Sequence, residues 1–109
     1  MDIKELLDFI NKEDKRLREY YGNYPDEEKR ILARTVKLME EIGELSNDVL
    51  SFNSMQRKEK LDNHDKENIR EEFADVLFTT LLLAKSMNID IKKSIEDKIK
   101  KIDKRYEKQ

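Results

Sequence analysis

The chain has 109 residues, 44% of them charged and 37% apolar, with 23 basic residues against 25 acidic and a net charge of −2. That length sets the expectation of one small domain, residues 1–109, and the charge balance excludes a bulk attraction for nucleic acid or an anionic membrane. With no cysteine a disulfide framework and a thiolate zinc site are excluded, and few Gly or Pro among much Glu, Lys, Leu and Ile predicts an all-α protein.

The first helix is expected from Asp2 to about Tyr21. Asp2 and Glu5 have capping-box spacing, and Ile3, Leu6, Leu7 and Ile10 recur at helical intervals. Gly22 to Pro25 break the pattern. Tyr20, Tyr21 and Tyr24 crowd this turn, either as cover for the end of a bundle or as a stacking wall for a planar base.

The second helix is expected from Asp26 to about Ser51, with Leu38, Ile42, Leu45 and Val49 as its apolar stripe. Glu41, Glu44 and Asp48 run along the edge of that stripe, whereas solvating acids usually lie opposite a core. Gly43 sits in mid-helix, at about 1 kcal/mol relative to Ala, and would let another helix approach closely. From Ser51 to about Asp65 the chain is polar and aperiodic, and is expected to be a long connection. Its Arg57, Lys58 and Lys60 read as solvated charge or as phosphate contacts, and His64 as a surface residue without a role.

The third helix is expected from Lys66 to Met87. Its segment EEFADVLFTTLLLA, Glu71 to Ala84, is the most apolar in the chain, and from Val76 onward it is apolar on every side. Such a helix belongs in the middle of a structure. Glu72 and Asp75 stand at its head, three apart and so on one face. Carboxylates leading into a buried helix need compensation for their charge. Asn88 is expected to end this helix and Asp90 to cap the fourth, which carries the stripe Ile91, Ile95, Ile99, Ile102 and Tyr106. Lys98, Lys101 and Arg105 line one flank of that stripe, as helix-terminal cations or as a strip for an anionic ligand.

Glu41 with Glu44, and Glu72 with Asp75, can converge four carboxylates between two facing helices. Oxygen ligands without histidine or cysteine suit Mg²⁺ or Mn²⁺ rather than zinc or a His-containing di-iron centre. Spacing alone also allows surface acids. The lean apolar content favours completion of a four-helix-bundle-like fold by self-association. The opening MDIKELL has no secretory pattern, and no apolar run is long enough for a membrane span, so a soluble cytoplasmic protein is expected.

The segments EEIGEL, Glu40 to Leu45, and EEFADVLF, Glu71 to Phe78, resemble the E-E-x-x-E and E-x-x-D signature of the MazG-like all-α nucleoside triphosphate pyrophosphohydrolases. The resemblance covers roughly Ile31 to Tyr106. It departs around Ile102, near whose position many relatives carry an asparagine that helps bind substrate. It implies hydrolysis of an NTP or dNTP to the monophosphate and pyrophosphate, with Mg²⁺ (or Mn²⁺) on Glu41, Glu44, Glu72 and Asp75 and with Glu40 beside the site. It further implies Lys98, Lys101 and Arg105 on the phosphates, Tyr20, Tyr21, Tyr24 and Phe52 as base-wall candidates, and a homodimer or homotetramer. Two other readings are a phosphoribosyl-ATP pyrophosphohydrolase and a non-catalytic helical interaction module. Loss of a metal-dependent activity on Glu72→Gln would set the enzyme apart from the module.

Overall fold

In the computed structural model, which describes residues 1–21, 26–55 and 63–107, four helices follow one another: α1 (Ile3–Tyr21), α2 (Glu27–Met55), α3 (Asn63–Ser86) and α4 (Ile91–Lys104). No strand occurs among the described residues, and the all-α expectation holds. The helix ends follow their local chemistry. Asp2 and Glu5 form a reciprocal capping box, the Glu5 amide donating to Asp2 Oδ1 (2.8 Å) and the Asp2 amide to Glu5 Oε1 (3.2 Å). Asp26 caps α2 by accepting from the Lys29 amide, and Asp90 caps α4 by accepting from Lys93. Asn88 takes a left-handed φ of 57°, and the amides of Asn88 and Ile89 donate to the carbonyls of Lys85 and Ala84. This Schellman corner ends α3 and sends the chain off in a new direction.

The expected long polar connection is shorter at both ends, because α2 runs on to Met55 and α3 begins at Asn63. The reason at the α2 end is Phe52, three residues beyond Val49 and seven beyond Leu45, which continues the apolar stripe. Tyr24, Arg57, Lys58 and Lys60 lie outside the described residues, as do the side chains of Tyr21 and His64.

The principal packing is α2 along α3, with α1 laid against α3. Polar contacts fix the hairpin as antiparallel: Asp48 meets Asn68 near one end, and Arg34 meets Leu82 and Ser86 near the other. The buried apolar side chains are Ile10, Leu81 and Leu82, with Leu6, Leu7, Leu17, Phe78 and Ile91 packed against them. The Phe9 and Phe78 rings meet at a centroid distance of 5.3 Å. The α3 helix is therefore covered by α1 and α2 over part of its circumference, and the expectation that it lies buried all round does not hold within one chain. Phe73 and Leu77 of α3 remain 54% and 61% exposed.

A charged clamp joins the three packed helices. Asp14 of α1, 3% exposed, accepts from Arg34 of α2 at 2.7 Å and from Arg18 at 2.6 Å. The same Arg34 nitrogen donates to Ser86 Oγ (2.6 Å) and to the Leu82 carbonyl (3.1 Å) of α3. Such a pair is tolerated away from water because its lone pairs and protons are met on several sides. By contrast α4 buries no residue, and only Ile91, at its first position, reaches the core cluster. The radius of gyration is 17.6 Å, against about 13 Å for a compact chain of this length. No helix is long and apolar enough to cross a membrane among the described residues.

Candidate metal centre

The α2–α3 hairpin brings Glu41 against Glu72 and Asp75. One carboxylate oxygen from each lies within 4.8 Å of the others. Each acid comes from the edge of an apolar stripe that the hairpin closes, so packing forces like charges together. Glu41 is buried at 7% exposure, while Asp75 stays open to solvent at the mouth. Glu41 Oε2 and Glu72 Oε2 are both withdrawn from solvent and have no hydrogen-bond partner. Orphaned buried acceptors of this kind are rare and call for a compensating cation or proton.

The electrostatics report the same crowding. The Glu72 carboxyl is pushed up to about 7, first by burial, then by hydrogen bonding with Asp48 and by the charges of Asp48, Glu44 and Glu41. Burial and the charges of Glu41 and Glu71 also raise Asp75, with Lys37 opposing them. Lys37 lies one turn before Glu41 and pairs with its Oε1 at 3.2 Å and with Glu40 at 3.8 Å. Its ammonium is raised above the usual lysine range, first through the hydrogen bond to Glu41.

Of the four ligands expected from the sequence, Glu41, Glu72 and Asp75 converge. Glu44 is exposed one turn beyond Glu41, near enough to act on Glu72. Glu40 faces solvent and touches the site only through Lys37. Two residues that sequence reasoning left without a role belong here. Asp48 abuts Glu72, and its position on the same stripe edge as Glu41 and Glu44 was the available signal. Lys37 was hidden among 23 basic residues, although its i, i+4 spacing to Glu41 was readable.

Beside the acids, Val49, Phe52, Ile69 and Phe73 line a cleft of about 290 Å³ with wholly apolar walls. Phe52 thus faces a cavity next to the carboxylates. Tyr20 is on the surface at the end of α1. Lys98, Lys101 and Arg105 are exposed on α4, and among the described residues no ion pair joins them to α2 or α3. The close approach expected at Gly43 is not made within the chain: a Cβ there would meet nothing within 4 Å.

An all-carboxylate donor set with unpartnered buried oxygens fits a hard divalent cation. A helical hairpin with such a set makes this an all-α protein with three acids that could hold a metal ion. The family model of the MazG nucleotide pyrophosphohydrolase domain matches residues 29–109, and the chain belongs to that family. Its general activity is therefore the hydrolysis of a nucleotide phosphoanhydride. No curated protein and no solved structure matches the chain.

Proposed function

We propose that the protein is a Mg²⁺-dependent pyrophosphohydrolase that converts an NTP or dNTP to the monophosphate and pyrophosphate, with Mn²⁺ as a substitute ion. The observation that carries this reading is the convergence of Glu41, Glu72 and Asp75 with two buried oxygens lacking any partner. These three would hold the ion, with Glu44 as a fourth ligand from the mouth. When bound, the ion supplies charge neutralisation for phosphate oxygens and a more acidic water.

The chain's own groups would do the rest. Water attacks the α-phosphorus, the bond from that phosphorus to the α–β bridging oxygen breaks, and pyrophosphate leaves. Asp48 abuts Glu72 and would steady it as a ligand, and in the metal-free chain Glu72 holds the proton that the ion displaces. Lys37 keeps a cation at the edge of the acids, with Glu40 behind it. Lys98, Lys101 and Arg105 would neutralise the polyphosphate. The base would lie in the cleft of Val49, Phe52, Ile69 and Phe73, stacked on the phenylalanines. Tyr20, Tyr21 and Tyr24 remain candidates for a further wall. The working form would be a cytoplasmic homodimer or homotetramer.

The test is pyrophosphate release from a panel of standard and modified NTPs and dNTPs, with Mg²⁺ and with EDTA, for wild type and Glu72→Gln. The expected result is metal-dependent release that Glu72→Gln lowers at least a hundredfold, a magnitude on the order of a lost charge-stabilising group. A well-folded wild type that releases no pyrophosphate from any nucleotide refutes the proposal.

A further inference from the structure

We propose that Lys37 holds the departing pyrophosphate, so that the nucleotide lies along the α2–α3 hairpin with its base towards Phe52 and its outer phosphates towards Lys37. The role rests on the pyrophosphohydrolase reading and adds to it a direction for the substrate and a partner for the leaving group.

The order of groups along the hairpin comes first. Lys37, Glu41, Glu44 and Asp48 fall on one face of α2, within about a sixth of a turn. Because α3 runs antiparallel, its residues follow in reverse: Ile69 and Phe73 beside Val49 and Phe52, Glu72 beside Asp48, and Asp75 beside Glu41. The apolar cleft therefore closes one end of the row of acids, and Lys37 closes the other. Along the helix axis Val49 is about 12 Å from Glu41, and Lys37 is about 6 Å beyond it on the far side. A base seated in the cleft points its phosphates at the acids and, past them, at Lys37. The reverse pose would press the outer phosphates against Phe52 and Phe73, walls that offer neither a donor nor a charge.

The contacts of Lys37 suit the task. Its Nζ pairs with Glu41 Oε1 at 3.2 Å and lies 3.8 Å from Glu40, and among the described residues no other cation is paired with Glu41. An ammonium has three N–H donors, and two carboxylates leave one for a phosphate oxygen. Lys37 grips Glu41 by Oε1, while Glu41 Oε2 is the buried oxygen without a partner. One carboxylate thus keeps an oxygen on the cation and the other free for an ion. The Lys37 side chain is 57% exposed, so its head can turn to an incoming ligand without leaving a packed position. In hydrolysis the water oxygen bonds to the α-phosphorus and the water's proton passes to solvent. The bond from phosphorus to the bridging oxygen breaks with its electron pair left on pyrophosphate. Negative charge therefore gathers on the leaving group, at the end of the site where Lys37 stands. A cation fixed there stabilises that charge more than it does the intact substrate.

Equilibrium binding of the two products separates the ends of the site. With Mg²⁺ present, titration calorimetry on Lys37→Met should show pyrophosphate affinity lowered about tenfold, the loss of one charge-assisted contact, with nucleoside monophosphate affinity within about twofold of wild type. Phe52→Ala/Phe73→Ala should do the opposite, weakening the monophosphate and sparing pyrophosphate. Turnover should follow the same line: kcat of Lys37→Met falls about tenfold or more, and Lys37→Arg, which keeps the charge, restores part of it. Lys37→Met should retain the helix content of wild type, since the side chain it replaces is largely exposed. A folded Lys37→Met that binds pyrophosphate as wild type does overturns the proposal. Equal loss of both products overturns it too, since Lys37 then acts only by orienting Glu41. If wild type cleaves no nucleotide yet binds pyrophosphate through Lys37, the contact stands and the pyrophosphohydrolase reading falls. A wild type that binds neither product overturns both.

Discussion

Proton and metal ion should compete for Glu72, and the competition has a definite size. The Glu72 carboxyl titrates near 7, chiefly through burial and its contact with Asp48. It is then ~10% ionised at pH 6 and ~90% at pH 8, so an ion that requires the carboxylate gains about tenfold in apparent affinity across that interval. The raised Asp75 carboxyl adds to the effect in the same direction. Stability of the metal-free protein must move the opposite way. The folded carboxyl holds its proton more tightly than the unfolded one, whose value is 4.5. The contribution is fully present below that value and is lost as pH rises through about 7. Isothermal titration with Mg²⁺ at pH 6, 7 and 8, in buffers of different ionisation enthalpy, reads both affinity and proton release. About one proton should leave per ion at pH 6 and about a tenth of one at pH 8. Affinity that is flat between pH 6 and 8, or metal-free stability that climbs from pH 5 to 8, would refute this account of the cluster.

Three further outcomes can be measured on the purified chain. Asp14→Ala should lower stability by about 3–5 kcal/mol in urea at fixed protein concentration, because it strands Arg34 between helices, whereas Asp8→Ala, which breaks only the exposed pair with Lys4, should change it by less than about 0.5 kcal/mol. Asp90→Ala should cost about 1 kcal/mol through loss of the α4 cap, and circular dichroism during heating should show that loss in α4 helicity. Phe52→Ala/Phe73→Ala should raise KM for a cleaved nucleotide by tenfold or more while kcat changes less, if the cleft holds the base and not the reacting phosphates as proposed; an unchanged KM places the base elsewhere.

Much of the fold was legible because local chemistry and burial agree. Asp2 with Glu5, Asp90, and Asn88 mark helix ends by side-chain geometry alone, and the structure places the ends there. Glu41, Glu72 and Asp75 could be grouped because each sits on the margin of an apolar stripe, which a hairpin must bring face to face. What was not legible depends on three-dimensional pairing. Asp14, Arg34 and Ser86 belong to three different helices, and no periodicity links them. The all-round apolarity of α3 suggested burial on every side, yet one chain supplies neighbours for only part of its circumference. Lys37 was obscured by sheer abundance, since a chain this rich in charge offers many i, i+4 pairs and only packing tells which one faces the acids.

The small apolar interior has a thermal consequence. Ile10, Leu81 and Leu82 are the buried apolar side chains among the described residues, while the joint between helices is largely a charged clamp. Heat capacity on unfolding rises with apolar surface exposed and falls with polar surface exposed. A lone protomer therefore unfolds with a small heat-capacity change, and its stability curve against temperature is shallow. Curvature returns when the outer faces of α2 and α3 and the stripe of α4 are covered. The temperature of maximum stability, and any loss of structure in the cold, would then be set by whatever covers those faces as much as by the chain itself.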